Sequence, residues 1–122
     1  MREDVIFVFG SNLAGRHGRG SAKFAMYEHG AEYGIGAGRT GYAYAIPTKG
    51  YMLEVLPLEE INCYIKQFIL YARKHPGLKF EICNVGCGLA GYTPEQIAPM
   101  FKDAPSNCTF SKEFNGILGR KC

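Results

Sequence analysis

The stretch FEICNVGCGLAGYTPEQIAPMF, residues 80–101, decides the fold that we predict for this chain. Its apolar start predicts a β-strand, its middle is a glycine-rich loop, and Thr93 followed by Pro94 and Gln96 predicts a helix start. A glycine loop between a strand and a helix leaves several backbone N–H groups beside a helix N-terminus, an arrangement that binds phosphate. The sequence therefore predicts an anion site in the loop at residues 86–91.

This loop also matches the dinucleotide-binding pattern G-x-G-x-x-G at Gly86, Gly88 and Gly91. Only 31 residues follow Gly91, whereas a Rossmann fold needs a further strand, helix and strand to place its ribose-binding acid. A second match, starting at Gly36, precedes a predicted strand, so the pattern is weak in a chain with 16 glycines. We therefore exclude a complete Rossmann fold and keep the narrower prediction of a phosphate loop.

Two further segments indicate the class of the fold. Val5–Phe9, VIFVF, is a continuous apolar run, which predicts a central parallel strand covered on both faces. Residues 58–74 carry apolar side chains on one helical face, with acidic residues at the start and basic residues at the end. The alternation of strands and helices predicts a single α/β domain over residues 1–122.

The remaining elements are predicted from shorter signals. Residues 31–41 hold too many glycines for a helix or a regular strand, so we expect a mobile loop there. Tyr42–Ile46 is expected to form a strand that Pro47 breaks. The other predictions are a helix at about 21–29, a helix at about 94–103, a short edge strand at 107–110 and a weakly ordered tail at about 112–122.

The composition excludes several classes of protein. Hydrophobic residues make up 47% of the chain and charged residues 20%, which is ordinary for globular proteins and argues against disordered and membrane-spanning chains. Residues 1–4 lack the features of a signal peptide, so we expect a cytoplasmic protein without a membrane partner. Five cysteines without zinc-site spacing predict reduced thiols, no metal and no cofactor.

A second glycine loop, GSNLAGRHGRG at residues 10–20, lies between the first strand and the helix that follows. Its Arg16, His17 and Arg19 could pair with phosphates or with an anionic polymer, or could simply be solvated charges. Asn12 could orient a ribose through its amide, or could cap a turn. Both alternatives stay open at the level of sequence.

Lys49 follows a predicted strand, and ligands of open α/β sheets bind at the carboxyl ends of the strands. As a nucleophile, a lysine must react as the neutral amine, and Arg39 is a conceivable cationic neighbour. The alternatives are that Lys49 binds a phosphate or is solvent-exposed. Cys87, near a helix start, is either a reactive thiol or a small packing residue, and Tyr92 either stacks on a ligand or packs.

Three segments in this order together resemble the macrodomain family: VIFVFGSNLAGRHGRGSAKFA, AIPTK and NVGCGLAGY. The first is similar to the macrodomain segment in which a strand ends in an asparagine and a glycine loop leads into a helix of small residues. The others resemble the PTK element and GCGL loop of the branch containing DNA ADP-ribosyl glycohydrolase antitoxins and terminal ADP-ribose protein glycohydrolase. The resemblance covers roughly residues 5–103, and it extends to small uncharacterised bacterial and phage proteins.

The resemblance implies a three-layer α/β/α fold with a mixed sheet, shortened at the N-terminus, that binds ADP-ribose or a related nucleotide. In that branch the PTK lysine attacks or polarises C1″ of the distal ribose. The resemblance therefore implies a metal-independent ADP-ribosyl hydrolase with Lys49 and Asn12 as catalytic residues. ADP-ribosylated DNA or protein would be its partner. The ligand-binding residues that the resemblance implies are Gly10, Ser11, Gly15, Gly18, Gly20, Thr48, Gly86, Cys87, Gly88, Leu89, Ala90, Gly91 and Tyr92.

Two departures from the family pattern support a second function. Ala90 stands where the protein glycohydrolase carries an acid. The antitoxin branch also lacks that acid. The strand with the acidic residue that contacts adenine has no counterpart before residue 5. The alternative to an enzyme is therefore a non-catalytic binder, a reader or sponge of ADP-ribose or a related nucleotide.

Overall fold

The apolar run near the start of the chain forms the central strand of the sheet in this computed structural model, which describes residues 5–120. Strand β1 (Val5–Asn12) pairs in parallel with β3 (Ala43–Lys49) on one side and β4 (Lys79–Ile82) on the other. At the edges, β2 (Gly38–Thr40) is antiparallel to β3, and β5 (Cys108–Phe110) is parallel to β4. The predicted central strand, edge strand and mixed sheet are confirmed, in the order β2-β3-β1-β4-β5.

Helices pack on both faces of this sheet, as alternate side chains of β1 point to opposite faces. Helix α1 (Gly20–His29) packs its Ala22 and Ala25 against Phe9 on one face. The other face is covered by α2 (Leu58–Lys74) and by three shorter elements, α3 (Pro94–Ile97), a 3-10 turn (Ala98–Phe101) and α4 (Lys112–Leu118). The predicted α/β class is thus confirmed. No helix within residues 5–120 is long and apolar enough to cross a bilayer.

Helix α2 provides most of the cover on the larger face, as its periodicity predicts. Phe68 is fully buried, with its ring edge-on to Phe80 at 5.3 Å and to Tyr44 at 5.1 Å between centroids. Burial of one such apolar side chain stabilises the fold by about 1.5–3 kcal/mol. The residues of α2 that are buried with it are Ile61, Ile65, Ile69 and Ala72.

The prediction of a weakly ordered tail at 112–122 is wrong, because residues 112–118 form α4. The hydroxyl of Ser111 accepts a hydrogen bond from the N–H of Phe114 at 3.3 Å and caps the helix start. The Phe114 ring is fully buried and lies 5.9 Å from that of Phe101. Tertiary packing therefore stabilises a helix whose own propensity is low. Residues 1–4, where the sequence predicts no signal peptide, lie outside the described residues. The same is true of residues 121–122, at the end of the predicted tail.

Two predictions between α1 and α2 also need correction. The segment 31–41 is not a loop throughout, since its last part forms β2. Strand β3 does not end at Pro47 but continues to Lys49. Strand β2 pairs no further than Ala45, so the missing N–H of Pro47 interrupts no bond of the antiparallel ladder.

Candidate functional site

The carboxyl ends of β1, β3 and β4 meet at one edge of the sheet, because the three strands are parallel. Together with the loops that follow them, these strand ends enclose a cleft of about 730 Å³. Pockets that bind small molecules usually have volumes of about 300–1,000 Å³. The cleft therefore has the position and the size of a small-molecule site.

Most of the residues that the sequence singles out lie in the walls of this cleft. The twelve that line it are Gly10, Ser11, Asn12, Gly18, Gly20, Thr48, Lys49, Gly86, Cys87, Gly88, Leu89 and Ala90. Arg16 and Arg19, whose roles the sequence left open, line it as well. Sequence reasoning missed five further lining residues, which are Ser21, Ala22, Leu53, Cys83 and Asn84.

Three predicted ligand-binding residues lie outside the lining and instead hold the loops in place. Gly15 packs against Gly34, whose N–H donates to the Gly15 carbonyl at 2.8 Å. The N–H of Gly91 donates to the carbonyl of Gly88 at 3.0 Å, which closes a turn. The hydroxyl of Tyr92 donates to the carbonyl of Leu56 at 2.7 Å, so the structure shows the packing alternative for this residue.

The loop at 10–20, which we call the first glycine loop, is clasped by residues 34–36. A Cβ atom at Gly15 would collide with the backbone of Gly34, and one at Gly36 with the carbonyl of Asn12. The hydroxyl of Ser11 donates to the Gly36 carbonyl between these two close approaches. The segment that the sequence predicts to be a mobile loop thus forms the support of one cleft wall.

His17 is the third connection between the first glycine loop and this support. Its side chain is fully buried, with Nε2 3.1 Å from the carbonyl oxygen of Ile35. A carbonyl only accepts, so Nε2 carries the proton and donates. The ring also lies edge-on to Phe9 at 5.4 Å. His17 is therefore an anchor beneath the wall, whereas Arg16 and Arg19 line the cleft.

Asn12 performs the capping role that the sequence left as one of two alternatives. Its Nδ2 donates to the carbonyl of Arg16 at 3.0 Å, and its Oδ1 accepts from the N–H of Arg16 at 2.9 Å. These two bonds fix the turn that presents Arg16 at the cleft. One amide N–H and one lone pair of Asn12 remain for a ligand.

Lys49 lies at the end of β3, where an irregularity in β1 places it opposite Asn12. Its side chain makes no hydrogen bond or ion pair with any residue of the range 5–120. After Lys49 the chain folds back through a tight hairpin that is closed by pairing with Val55. Leu53 in this hairpin adopts a left-handed φ of 63° and lines the cleft beside Lys49. Arg39, the neighbour considered for Lys49, donates to Gly41 and Tyr71 and lies outside the lining.

The loop at 86–91, the second glycine loop, forms the opposite wall. Gly86 has a left-handed φ of 78°, and a Cβ atom there would lie 3.1 Å from Cδ1 of the buried Ile97. The helix start after the loop is the predicted one. Thr93 Oγ1 accepts from the N–H of Gln96 at 3.3 Å, and Oε1 of Gln96 accepts from the N–H of Thr93 at 2.9 Å.

The two walls present unpaired backbone donors to the cleft. Helix α1 starts without a side-chain cap, so the N–H groups of Gly20, Ser21 and Ala22 have no partner within the described chain. In the second glycine loop the same holds for the N–H groups of residues 88–90. All six residues line the cleft. Such groups bind anions at helix starts and in glycine loops.

The side chains of the lining add positive charge and no negative charge. Arg16, Arg19 and Lys49 are the cations of the lining, and none of their side chains forms a hydrogen bond or ion pair with another residue of the range 5–120. Among residues 5–120, no aspartate or glutamate lines this cleft. The electrostatic character of the cleft is therefore that of an anion site.

The two thiols of the cleft are not set up for nucleophilic attack. Burial, with smaller contributions from Cys83, Glu95 and Glu113, raises the pKa of Cys87 to about 11. Burial also raises the pKa of Cys83. Since the thiolate is the reactive form, the structure favours the packing role for Cys87. Between residues 5 and 120, no three histidine, cysteine, aspartate or glutamate side chains converge to hold a metal ion.

Asn84 connects the cleft to the C-terminal helix. Its Nδ2 donates to Oε2 of Glu113 at 3.2 Å, and its Oδ1 accepts from the hydroxyl of Ser111. A backbone hydrogen bond at Glu113, and then the bond from Asn84, lower the pKa of the Glu113 carboxyl. The start of α4 therefore holds the segment that precedes the second glycine loop.

Comparisons with known proteins assign no family to the chain. No family model matches it. No curated protein and no solved structure matches it at a significant level. The functional interpretation therefore depends on the chemistry of the cleft.

Proposed function

We propose that the cleft binds ADP-ribose, or a related nucleotide, through its pyrophosphate, and that Lys49 releases ADP-ribose from a modified protein or nucleic acid. The observation that supports this is the lining itself, to which residues 5–120 contribute three cations and no carboxylate. A pyrophosphate is negatively charged and offers only acceptor oxygens. Charge-assisted hydrogen bonds from guanidinium and backbone N–H groups are among the stronger bonds that it can form.

The two walls suit opposite sides of such a ligand. The residues at the start of α1 and residues 88–90, whose N–H groups have no partner in the described chain, line one and the same cavity. Lys49 lines the same cleft at the end of β3, the strand next to β1, with no partner among the described residues to hold its amine away from a ligand. A pyrophosphate between the walls would bring a distal ribose within reach of the strand end that carries Lys49.

The reaction then has two steps. The neutral amine of Lys49 attacks C1″ of the distal ribose, and the bond from C1″ to the acceptor breaks. The acceptor leaves with the electron pair and takes the proton that Nζ releases. Water next attacks C1″, the bond from C1″ to Nζ breaks, and a proton returns to Nζ. The products are ADP-ribose, the free acceptor and the regenerated lysine.

One observation favours a non-catalytic binder as the second candidate. Glycohydrolases commonly use a carboxylic acid to protonate the leaving group. Ala90 is present in the second glycine loop, and the lining within residues 5–120 holds no carboxylate. A protein that holds ADP-ribose without cleaving a bond needs no such acid.

Lys49 variants separate the two candidates. ADP-ribosylated DNA and ADP-ribosylated protein are incubated with wild type, Lys49→Ala and Lys49→Arg, and ADP-ribose binding is measured by calorimetry. The enzyme is supported if wild type releases ADP-ribose and both variants lose this activity. Lys49→Arg is the matched control, because it keeps the positive charge and should bind within a few-fold of wild type.

The other outcomes are equally informative. If wild type binds ADP-ribose but releases nothing from either substrate, the non-catalytic binder is correct. If Lys49→Arg releases ADP-ribose as fast as wild type, Lys49 is not the nucleophile. If wild type does not bind ADP-ribose, both candidate functions are wrong. Lys49→Ala is expected to bind about tenfold more weakly, because one charge-assisted hydrogen bond contributes roughly 1.5 kcal/mol.

A further inference from the structure

The uncharged polar side chains of the cleft are already paired within the protein. Ser11 donates to the carbonyl of Gly36, and the hydroxyl of Thr48 donates to the carbonyl of Ser11 at 3.3 Å. Asn12 is bonded through both amide atoms to the backbone of Arg16. Each of these hydroxyl and amide groups therefore has a partner within the protein, and the bonds hold the walls of the cleft in place.

The same holds for the polar side chains that sequence reasoning missed. Both amide atoms of Asn84 are engaged with Ser111 and Glu113. The Ser21 hydroxyl lies near the Cys83 thiol and offsets part of the burial that raises the pKa of that thiol. The charged side chains of the lining lack a partner in the described chain and are all cations, and a cation donates hydrogen bonds but does not accept them.

The part of the chain that the structure describes also contributes no aromatic ring to the lining. Tyr92 is the nearest tyrosine in sequence to the second glycine loop, and its hydroxyl is bonded to Leu56 outside the lining. Within residues 5–120, the large apolar side chains that line the cleft are Leu53 and Leu89, which are 39% and 65% exposed. An exposed leucine contacts the flat face of any base without distinguishing one base from another.

A nucleobase is distinguished from other bases by its pattern of donors and acceptors. Adenine presents an amino donor beside ring acceptors, whereas guanine presents a carbonyl acceptor in that position. A site that reads this difference through its side chains needs an acceptor facing the amino group. Phosphate oxygens need only donors. The three cations and the unpaired backbone N–H groups of this cleft are donors, whereas the amide oxygens of its Asn12 and Asn84 each already accept a bond within the protein.

We infer that the cleft recognises the phosphates of its ligand and does not read the base. Its ligands are then nucleoside diphosphates and their ribose conjugates, with adenine, guanine, uracil or cytosine alike. This inference rests on the proposed binding of a pyrophosphate, and it specifies the class of nucleotide that the same site accepts. The base lies over the rim formed by Leu53 and Leu89.

The test is a comparison of affinities at one fixed ionic strength. Calorimetry measures binding of ADP, GDP, UDP, CDP, adenosine and inorganic pyrophosphate, together with ADP-ribose and GDP-ribose. The four diphosphates are expected to bind within about fivefold of one another, and so are the two ribose conjugates. Adenosine, which has no phosphate, is expected not to bind at millimolar concentration.

Matched variants extend the comparison to the protein. Arg19→Ala is expected to weaken the binding of all four diphosphates by the same factor, about tenfold. Lys23→Ala is the control, because Lys23 is exposed on α1 one turn further on and lies outside the lining. It is expected to leave every affinity unchanged.

Each result supports or overturns a separate statement. If adenine nucleotides bind more than about fivefold tighter than the guanine forms, the inference is overturned, although ADP-ribose binding stands. If the four diphosphates bind equally but neither ribose conjugate binds, the inference stands and the proposed function fails. If neither pyrophosphate nor any nucleotide binds, both are overturned.

Discussion

A methyl group added at Gly86 or at Gly88 tests the geometry of the second glycine loop. Alanine at Gly86 must adopt a left-handed φ of 78°, which costs about 1–2 kcal/mol, and its Cβ would press on the buried Ile97. At Gly88 φ is not left-handed and a Cβ would meet no atom within 4 Å. Gly88→Ala should therefore stabilise the protein by about 0.4–1 kcal/mol, by restricting the unfolded chain.

The two variants, each one methyl group larger than wild type, are thus expected to differ in stability by about 1.4–3 kcal/mol. For a domain of this length that corresponds to about 6–12 °C in Tm, which calorimetry or circular dichroism resolves. Equal melting temperatures would show that the loop does not have this backbone conformation.

The effect of Gly88→Ala on ADP-ribose binding is expected to be opposite to its effect on stability. The methyl group of Gly88→Ala occupies open space at the cleft wall, beside the unpaired N–H groups of Leu89 and Ala90. We expect ADP-ribose to bind this well-folded variant at least tenfold more weakly than wild type, a loss of about 1.4 kcal/mol. Wild-type affinity in Gly88→Ala would refute the assignment of this loop to the pyrophosphate.

Two further predictions concern α4 and the thiols. Phe114→Ala is expected to lower the free energy of unfolding by about 3–5 kcal/mol, because the ring is fully buried. Urea denaturation measures this, and a loss below about 1 kcal/mol would contradict the packing of α4. At pH 8 iodoacetamide is expected to modify the exposed Cys63 well before Cys87, whose pKa of about 11 leaves only roughly 0.1% thiolate. Mass spectrometry of timed samples gives the order in which the thiols are modified. The reactivity of Cys87 should rise towards pH 11 as its thiolate forms. Modification of Cys87 before Cys63 would contradict the raised pKa of Cys87.

Most of the fold could be predicted because hydrophobic periodicity and apolar runs report burial directly. The continuous run at Val5–Phe9 predicts a strand paired on both sides, and β1 has parallel neighbours on both sides. Helix α4 was missed since Asn115 and Gly116 lower its helix propensity, and only the burial of Phe114 compensates. Ser111 as N-cap, with Gly119 just past the end, was the available signal.

The candidate site could be predicted in part, because strand ends and glycine loops are local features of sequence. The missed residues depend on contacts that only the folded chain reveals. Leu53 reaches the cleft because a hairpin turns back directly after Lys49. Asn84 is held at the cleft by a hydrogen bond to Glu113 of α4, a helix that was not predicted. His17 could not be distinguished from its cationic neighbours, because burial under the loop leaves no mark on the sequence.

The clasp between the first glycine loop and residues 34–36 has a consequence for the rate of binding. Its contacts at Gly15 and Gly36, together with the bond from His17, form when the chain folds. A wall completed in advance requires no closing step between encounter and complex, so diffusion and attraction between opposite charges govern how fast an anion is captured. Arg16, Arg19 and Lys49 all carry the same sign, and salt would slow capture by screening them.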